Sequence, residues 1–156
     1  MDSNRKIGHS DLQKYLRHRH PMILIDRVED YEPGKSITAV SAASGASDWA
    51  QGHFPGRAIY PGTHLLQAFS QTAIILLQLS STTLGDDEVT VVSSLEARFN
   101  RVVVPGDLIV FKNYLEKIIQ DVFFFSGGAY VNEKKAASFR VRVARRPLSA
   151  LGSLLW

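Results

Sequence analysis

The stretch GHFPGRAIYPGTHLLQAFSQ, residues 52–71, decides the fold. It sets one histidine, His53, on a loop punctuated by Phe54-Pro55-Gly56 and Tyr60-Pro61-Gly62, and then begins the most apolar helix of the chain. Two proline–glycine turns so close together give a shaped loop. Pro61 suits the start of a helix, and Gly62 lets backbone approach a ligand closely. The run that follows, LLQAFSQTAIILLQL, is helical in length and apolar on most sides. A helix of that kind is buried, so it predicts the core of a wrapped sheet.

At about 100° per residue, the polar exceptions on this helix cluster. His64, Gln67, Gln71 and Gln78 share one narrow stripe, opposite Leu65, Leu66, Phe69, Ala73, Leu76 and Leu77. Buried polar groups need hydrogen-bond partners. Two readings stand: the glutamines bond the enclosing strands, or they face a ligand, water or another subunit.

Around this stretch, 156 residues with 45% hydrophobic content suit one domain with its own core. The chain has no cysteine, which excludes a disulfide frame, a thiol nucleophile and a cysteine zinc site. The opening MDSNRKIGHSD lacks the apolar run of a signal peptide. The longest uninterrupted apolar stretch, residues 73–77, is too short to span a bilayer. A soluble, cytoplasmic protein is expected, with no membrane partner. The net charge of +3 and pI near 9.3 mildly favour acidic partners.

Before the central stretch, Ser10-Asp11-Leu12-Gln13 has capping-box spacing and predicts a short helix to Arg17, ended by His18-Arg19-His20-Pro21. The His-x-His pair lacks a third ligand and reads as a basic turn rather than a metal fragment. Residues 22–30 and 36–44 predict two strands joined by Glu32-Pro33-Gly34-Lys35, with proline and glycine in type II order. After a polar link at 80–88, residues 89–99, 108–117, 121–131 and 136–144 predict four more strands. FRVRVARR alternates apolar and basic residues, as a strand with one buried and one solvated face does. Its arginines carry no nucleic-acid motif, which leaves a solvated edge or a docking face for an acidic protein. The fold class is α+β: one domain over residues 1–146, a single buried helix enclosed by a curved antiparallel sheet, and an apolar tail at 147–156. Edge strands of such a sheet invite pairing with a second copy.

The series HRHPMILIDRV, EPGK, QGHFPGRAIYPG, LLQAFSQ, ARFNRVVVPGD and FRVRVARR resembles the β-hydroxyacyl-acyl carrier protein dehydratases of the FabZ type, over nearly the whole chain. The resemblance implies a hot-dog fold, a double-hot-dog dimer often assembled as a trimer of dimers, and sites at the subunit interface. It implies dehydration of a 3-hydroxyacyl thioester, carried on the phosphopantetheine of acyl carrier protein, without metal or redox cofactor. His53 then becomes the catalytic histidine and the Gly62 amide the oxyanion donor. Both roles suit the residue types: imidazole is a base that works near neutrality, and a backbone N–H at a helix N-terminus stabilises developing negative charge. Phe54, Leu66 and Phe69 become candidates to line an acyl tunnel, and His64 a substrate contact on the polar stripe. Tyr60 reads equally as a gate or as a surface residue.

One departure is informative. Where the family has a carboxylate, this chain has Gln67. An amide orients a departing hydroxyl but does not protonate it. Three functions are consistent with that change: a dehydratase subunit completed by a carboxylate-bearing hot-dog partner, a homodimeric dehydratase relying on His53 with Gln67 or His64 holding the hydroxyl, and an acyl-thioester binding protein or thioesterase.

Overall fold

The structure, a computed structural model, describes residues 5–152. Six antiparallel strands form one sheet: β1 (Arg27–Glu32), β2 (Ser36–Ala42), β3 (Glu88–Phe99), β4 (Leu108–Ile119), β5 (Val122–Val131) and β6 (Lys134–Pro147). Their spatial order is β1-β2-β4-β5-β6-β3. Helices α1 (His9–Leu12), α2 (Asp48–Gly52) and α3 (Gly62–Leu79) accompany them, and a 3-10 turn (Leu148–Leu151) follows β6. The tail beyond residue 152 lies outside the described residues.

Helix α3 is the core. Pro61, at φ −60°, occupies its N-cap, and the helix interior contains neither proline nor glycine. From Ala68 to Gln78 every residue is buried. Ser70 and Thr72 satisfy their hydroxyls on the carbonyls of Leu66 and Ala68, one turn back. The sheet wraps this helix with Phe111, Phe125 and Phe139, and the Phe69 ring packs 4.8 Å from that of Phe139. Close approach at that point needs Gly127. Its φ is +156°, and a Cβ there would run into the Lys112 carbonyl and stand 3.0 Å from the Phe69 ring.

The sequence patterns place α3 and the last four strands within a few residues. The N-terminal segment differs in two respects. The helix expected over residues 10–17 is only His9–Leu12, with Gly8 at its N-cap and no side-chain cap. Ser10 sits inside the helix, so the capping box does not form, and the chain continues as backbone turns that bury Leu12 and Leu16. Arg19 then takes the Leu16 carbonyl. The strand expected over residues 22–30 begins only at Arg27. Its first residues do not ladder because Gln71 claims them: the Leu24 N–H donates to Gln71 Oε1 at 2.9 Å and Gln71 Nε2 donates to the Met22 carbonyl at 2.6 Å.

The β1–β2 turn follows the type II expectation, with Gly34 at φ +77° and the Lys35 N–H on the Glu32 carbonyl at 3.0 Å. In β6, Phe139, Val141 and Val143 are buried while Arg140 and Arg142 are exposed. Arg145 instead pins the α3–β3 link. Its Nε donates to Glu88 at 2.8 Å, and its other nitrogens reach the Thr82 and Thr83 carbonyls. Strand β3 pairs with β6 on one side only, which leaves its outer edge without a strand partner among the described residues.

Candidate active site

Helix α2, which no sequence signal announced, delivers His53. The His53 N–H closes that helix on the Trp49 carbonyl at 2.8 Å, and the Ile59 N–H donates to the His53 carbonyl at 2.9 Å. The side chain is tied to the same residue: His53 Nδ1 lies 2.8 Å from the Ile59 carbonyl oxygen. A carbonyl only accepts, so Nδ1 carries the proton and the neutral ring presents a free lone pair at Nε2. Phe54 stacks on the ring at 4.2 Å and is itself exposed. The loop between the two proline–glycine turns therefore fixes both the tautomer and the orientation of one imidazole.

Gly62 is the first residue of α3. Its N–H is one of the helix's unsatisfied donors and lies at the positive end of the dipole of an 18-residue helix. His53 and Gly62 line the same cavity of about 380 Å³, with Ile59, Tyr60, Leu65 and residues 99–103. The Phe99 ring covers Gly62, only 3.0 Å from where a Cβ would stand. An imidazole and a helix N-terminus thus line one cavity, an arrangement that can serve deprotonation beside a carbonyl.

The polar stripe of α3 divides. Gln71 and Gln78 are buried, and both bond backbone of the enclosing segments: Gln71 as above, Gln78 through the Tyr15 carbonyl and the Leu84 N–H. For these two, internal bonding replaces a ligand, but the partners are loop and turn backbone and not the enclosing strands expected from the sequence. Gln67 and His64, nearer the N-terminus, are half-buried, and Gln67 makes no hydrogen bond among the described residues. Tyr60 is only 5% exposed, edge-on to Trp49 at 4.9 Å and to His64 at 5.7 Å, so its reading as a surface residue is corrected. Leu66 is half-buried against the core, and Phe69 is fully buried within it.

Two contributors escaped the sequence reading. The Ile59 carbonyl gave no signal, because backbone orientation leaves no trace in residue type. Residues 99–103 sat in the ARFNRVVVPGD motif, but no chemistry distinguishes an apolar wall from an ordinary strand end. The His18-x-His20 pair forms no metal site: among the described residues no group of three or more His, Asp or Glu is placed to hold an ion.

One long helix wrapped by a six-stranded antiparallel sheet, with a histidine and the helix N-terminus on a shared cavity, defines a hot-dog protein. Solved structures agree on the fold. The dehydratase heterocomplex ApeI:P from Xenorhabdus doucetiae superposes with a TM-score of 0.75 at 12% identity, covering 90% of this chain and 93% of that one. The E. coli PaaI protein of the phenylacetic acid degradation operon superposes at 0.60 and 14%, covering 75% and 80%.

The model of the FabA-like domain matches residues 16–140. Coronafacic acid dehydratase of Pseudomonas savastanoi pv. glycinea is 49% identical over 154 residues, 99% of this chain and 93% of that protein. The 3-hydroxyacyl-[acyl-carrier-protein] dehydratase FabZ of Haemophilus ducreyi is 35% identical over 138 residues, 88% and 90% of the two chains. The chain belongs to the FabA-like family and, within it, to the FabZ-type dehydratases.

Proposed function

We propose that this protein eliminates water from a 3-hydroxyacyl thioester to give the trans-2-enoyl thioester, in fatty-acid or polyketide-like biosynthesis. The observation that carries this reading is the His53–Ile59 hydrogen bond beside the Gly62 amide in one cavity. His53 Nε2 takes the proton from C2, the thioester oxygen gathers the charge, and the Gly62 N–H stabilises it. Hydroxide leaves C3 as water once it is protonated. None of these steps calls on a redox centre, and the substrate arrives on the phosphopantetheine of an acyl carrier protein. Arg101, on the cavity wall, and the net charge of +3 suit that acidic, phosphate-bearing donor.

What the chain lacks is the family's carboxylic acid, since Gln67 is an amide. The outer edge of β3 supports a second hot-dog subunit as its source. Phe99, the last residue of β3, is 52% exposed and covers Gly62, so a strand added along that edge runs past the cavity mouth. A partner bearing Glu or Asp at the matching helix position completes the site. The test is enoyl formation from a 3-hydroxyacyl carrier-protein substrate by the purified protein, by Gln67→Glu, and by any complex that copurifies. Turnover that rises with Gln67→Glu or with the partner is expected. Release of free acid from a thioester lacking the 3-hydroxyl overturns the reading in favour of a thioesterase. So does the absence of enoyl product in every arm.

A further inference from the structure

A second, larger groove of about 470 Å³ lies on the other side of Tyr60, which is the wall common to both cavities. Its floor carries three polar side chains: Ser41 and Tyr60, each 5% exposed, and His64. Its rim carries two exposed carboxylates, Asp26 and Asp48, and one exposed imidazole, His20. Tyr60 and Ser41 hydrogen-bond each other, so the floor group that a plain alkyl chain would leave without a partner is His64.

The surroundings of His64 leave one ring nitrogen to bond a ligand. Nδ1 is buried with no hydrogen-bond partner. With Nδ1 closed off, Nε2 is the ring nitrogen left to bond a ligand, and an acceptor in the groove draws the proton of the neutral ring to it. Burial, and then the neighbouring His53, hold the His64 pKa below the usual range, which keeps the ring neutral at pH 7. The two histidines thus suit opposite roles: His53, tied through Nδ1, offers a lone pair, whereas His64 is free to offer an N–H to an acceptor in the groove.

Resting on the dehydratase reading, we propose that this groove receives the distal part of the acyl group, and that the preferred substrate carries a further neutral oxygen, a keto or hydroxyl group, accepting a hydrogen bond from His64 Nε2. Tyr60 and Ser41 are the adjoining polar contacts. The carboxylates at the rim disfavour an acyl group ending in a carboxylate.

The test compares kcat/KM for three 3-hydroxyacyl thioesters of matched length: one with a plain chain, one with a distal keto group, and one ending in a carboxylate. The keto substrate is expected to exceed the plain one by about tenfold, the net worth of a strong hydrogen bond, with the carboxylate lowest. His64→Leu is expected to bring the keto-to-plain ratio to about one, and His64→Gln, which keeps a donor, to restore part of it. Equal use of keto and plain substrates by the wild type, or a ratio untouched in His64→Leu, overturns the inference and leaves the dehydratase reading standing. No enoyl product from any of the three overturns both.

Discussion

At the scale of single residues, the chemistry reduces to one lone pair and one N–H. His53→Ala removes the lone pair and is expected to lower enoyl formation by ~10²–10⁴-fold, the usual worth of a positioned base, with circular dichroism checking that the fold survives. Gly62 allows a cleaner experiment. It stands at the first helical position behind Pro61, whose φ −60° and ψ 129° are the angles a following proline requires. Gly62→Pro therefore removes the N–H with little cost to the helix, whereas Gly62→Ala keeps it. Both place a Cβ against the exposed Phe99 ring. We expect kcat to fall ~10²–10³-fold in the proline variant and far less in the alanine variant. Equal losses would mean that crowding by Phe99, and not the amide, is the cause. Of these residues, His53 and Gly62 stand out in the sequence because proline–glycine turns frame them. The tautomer of His53 does not, since it depends on where a carbonyl points.

At the scale of elements, α3 is legible because its hydrophobicity exceeds what any half-buried helix shows. The partition of its polar stripe is not. Four polar residues at one wheel position look alike, yet Gln71 takes the Leu24 N–H and the Met22 carbonyl, while pairing with β2 begins only at the Asp26 N–H on the Val40 carbonyl. Those two bonds hold an apolar run that reads as a strand in an irregular path. Gln71→Leu leaves the Leu24 N–H and the Met22 carbonyl without these partners; Met22 is exposed, so water reaches its carbonyl, and the expected loss in urea unfolding is about 1–3 kcal/mol, the cost of the one half-buried N–H. An unchanged midpoint would show that water replaces the amide at no cost. Helix α2 escapes sequence reading for the opposite reason: at five residues with no buried side chain, it leaves no periodicity to detect.

At the scale of the whole molecule, the sheet closes around α3 through non-local ties, and the best defined is polar. The Arg145 guanidinium beside Glu88, with the Gly85 N–H, holds the Glu88 carboxyl down at about 2, against an ordinary value of 4.5. Because the folded value is the lower one, the stabilisation is fully present above pH 4.5 and is lost as pH falls towards 2. The difference in melting temperature between wild type and Glu88→Gln should accordingly be present at pH 5 and vanish near pH 2. A difference that persists at pH 2 would mean that packing and not charge holds the link. The succession of strands along the chain was legible as a series of turns and alternations, but their order in the sheet and the unpaired edge of β3 emerge only once the sheet is assembled, and with them the place for a second subunit.

The central claim is that His53 and the Gly62 amide act together on a thioester, and proton exchange at C2 tests it without requiring the missing acid. In deuterium oxide, a 3-hydroxyacyl pantetheine thioester incubated with the protein and recovered before it is consumed should gain deuterium at C2. It should gain far less with His53→Ala or Gly62→Pro. Exchange at the same rate with the wild type and both variants would contradict the account.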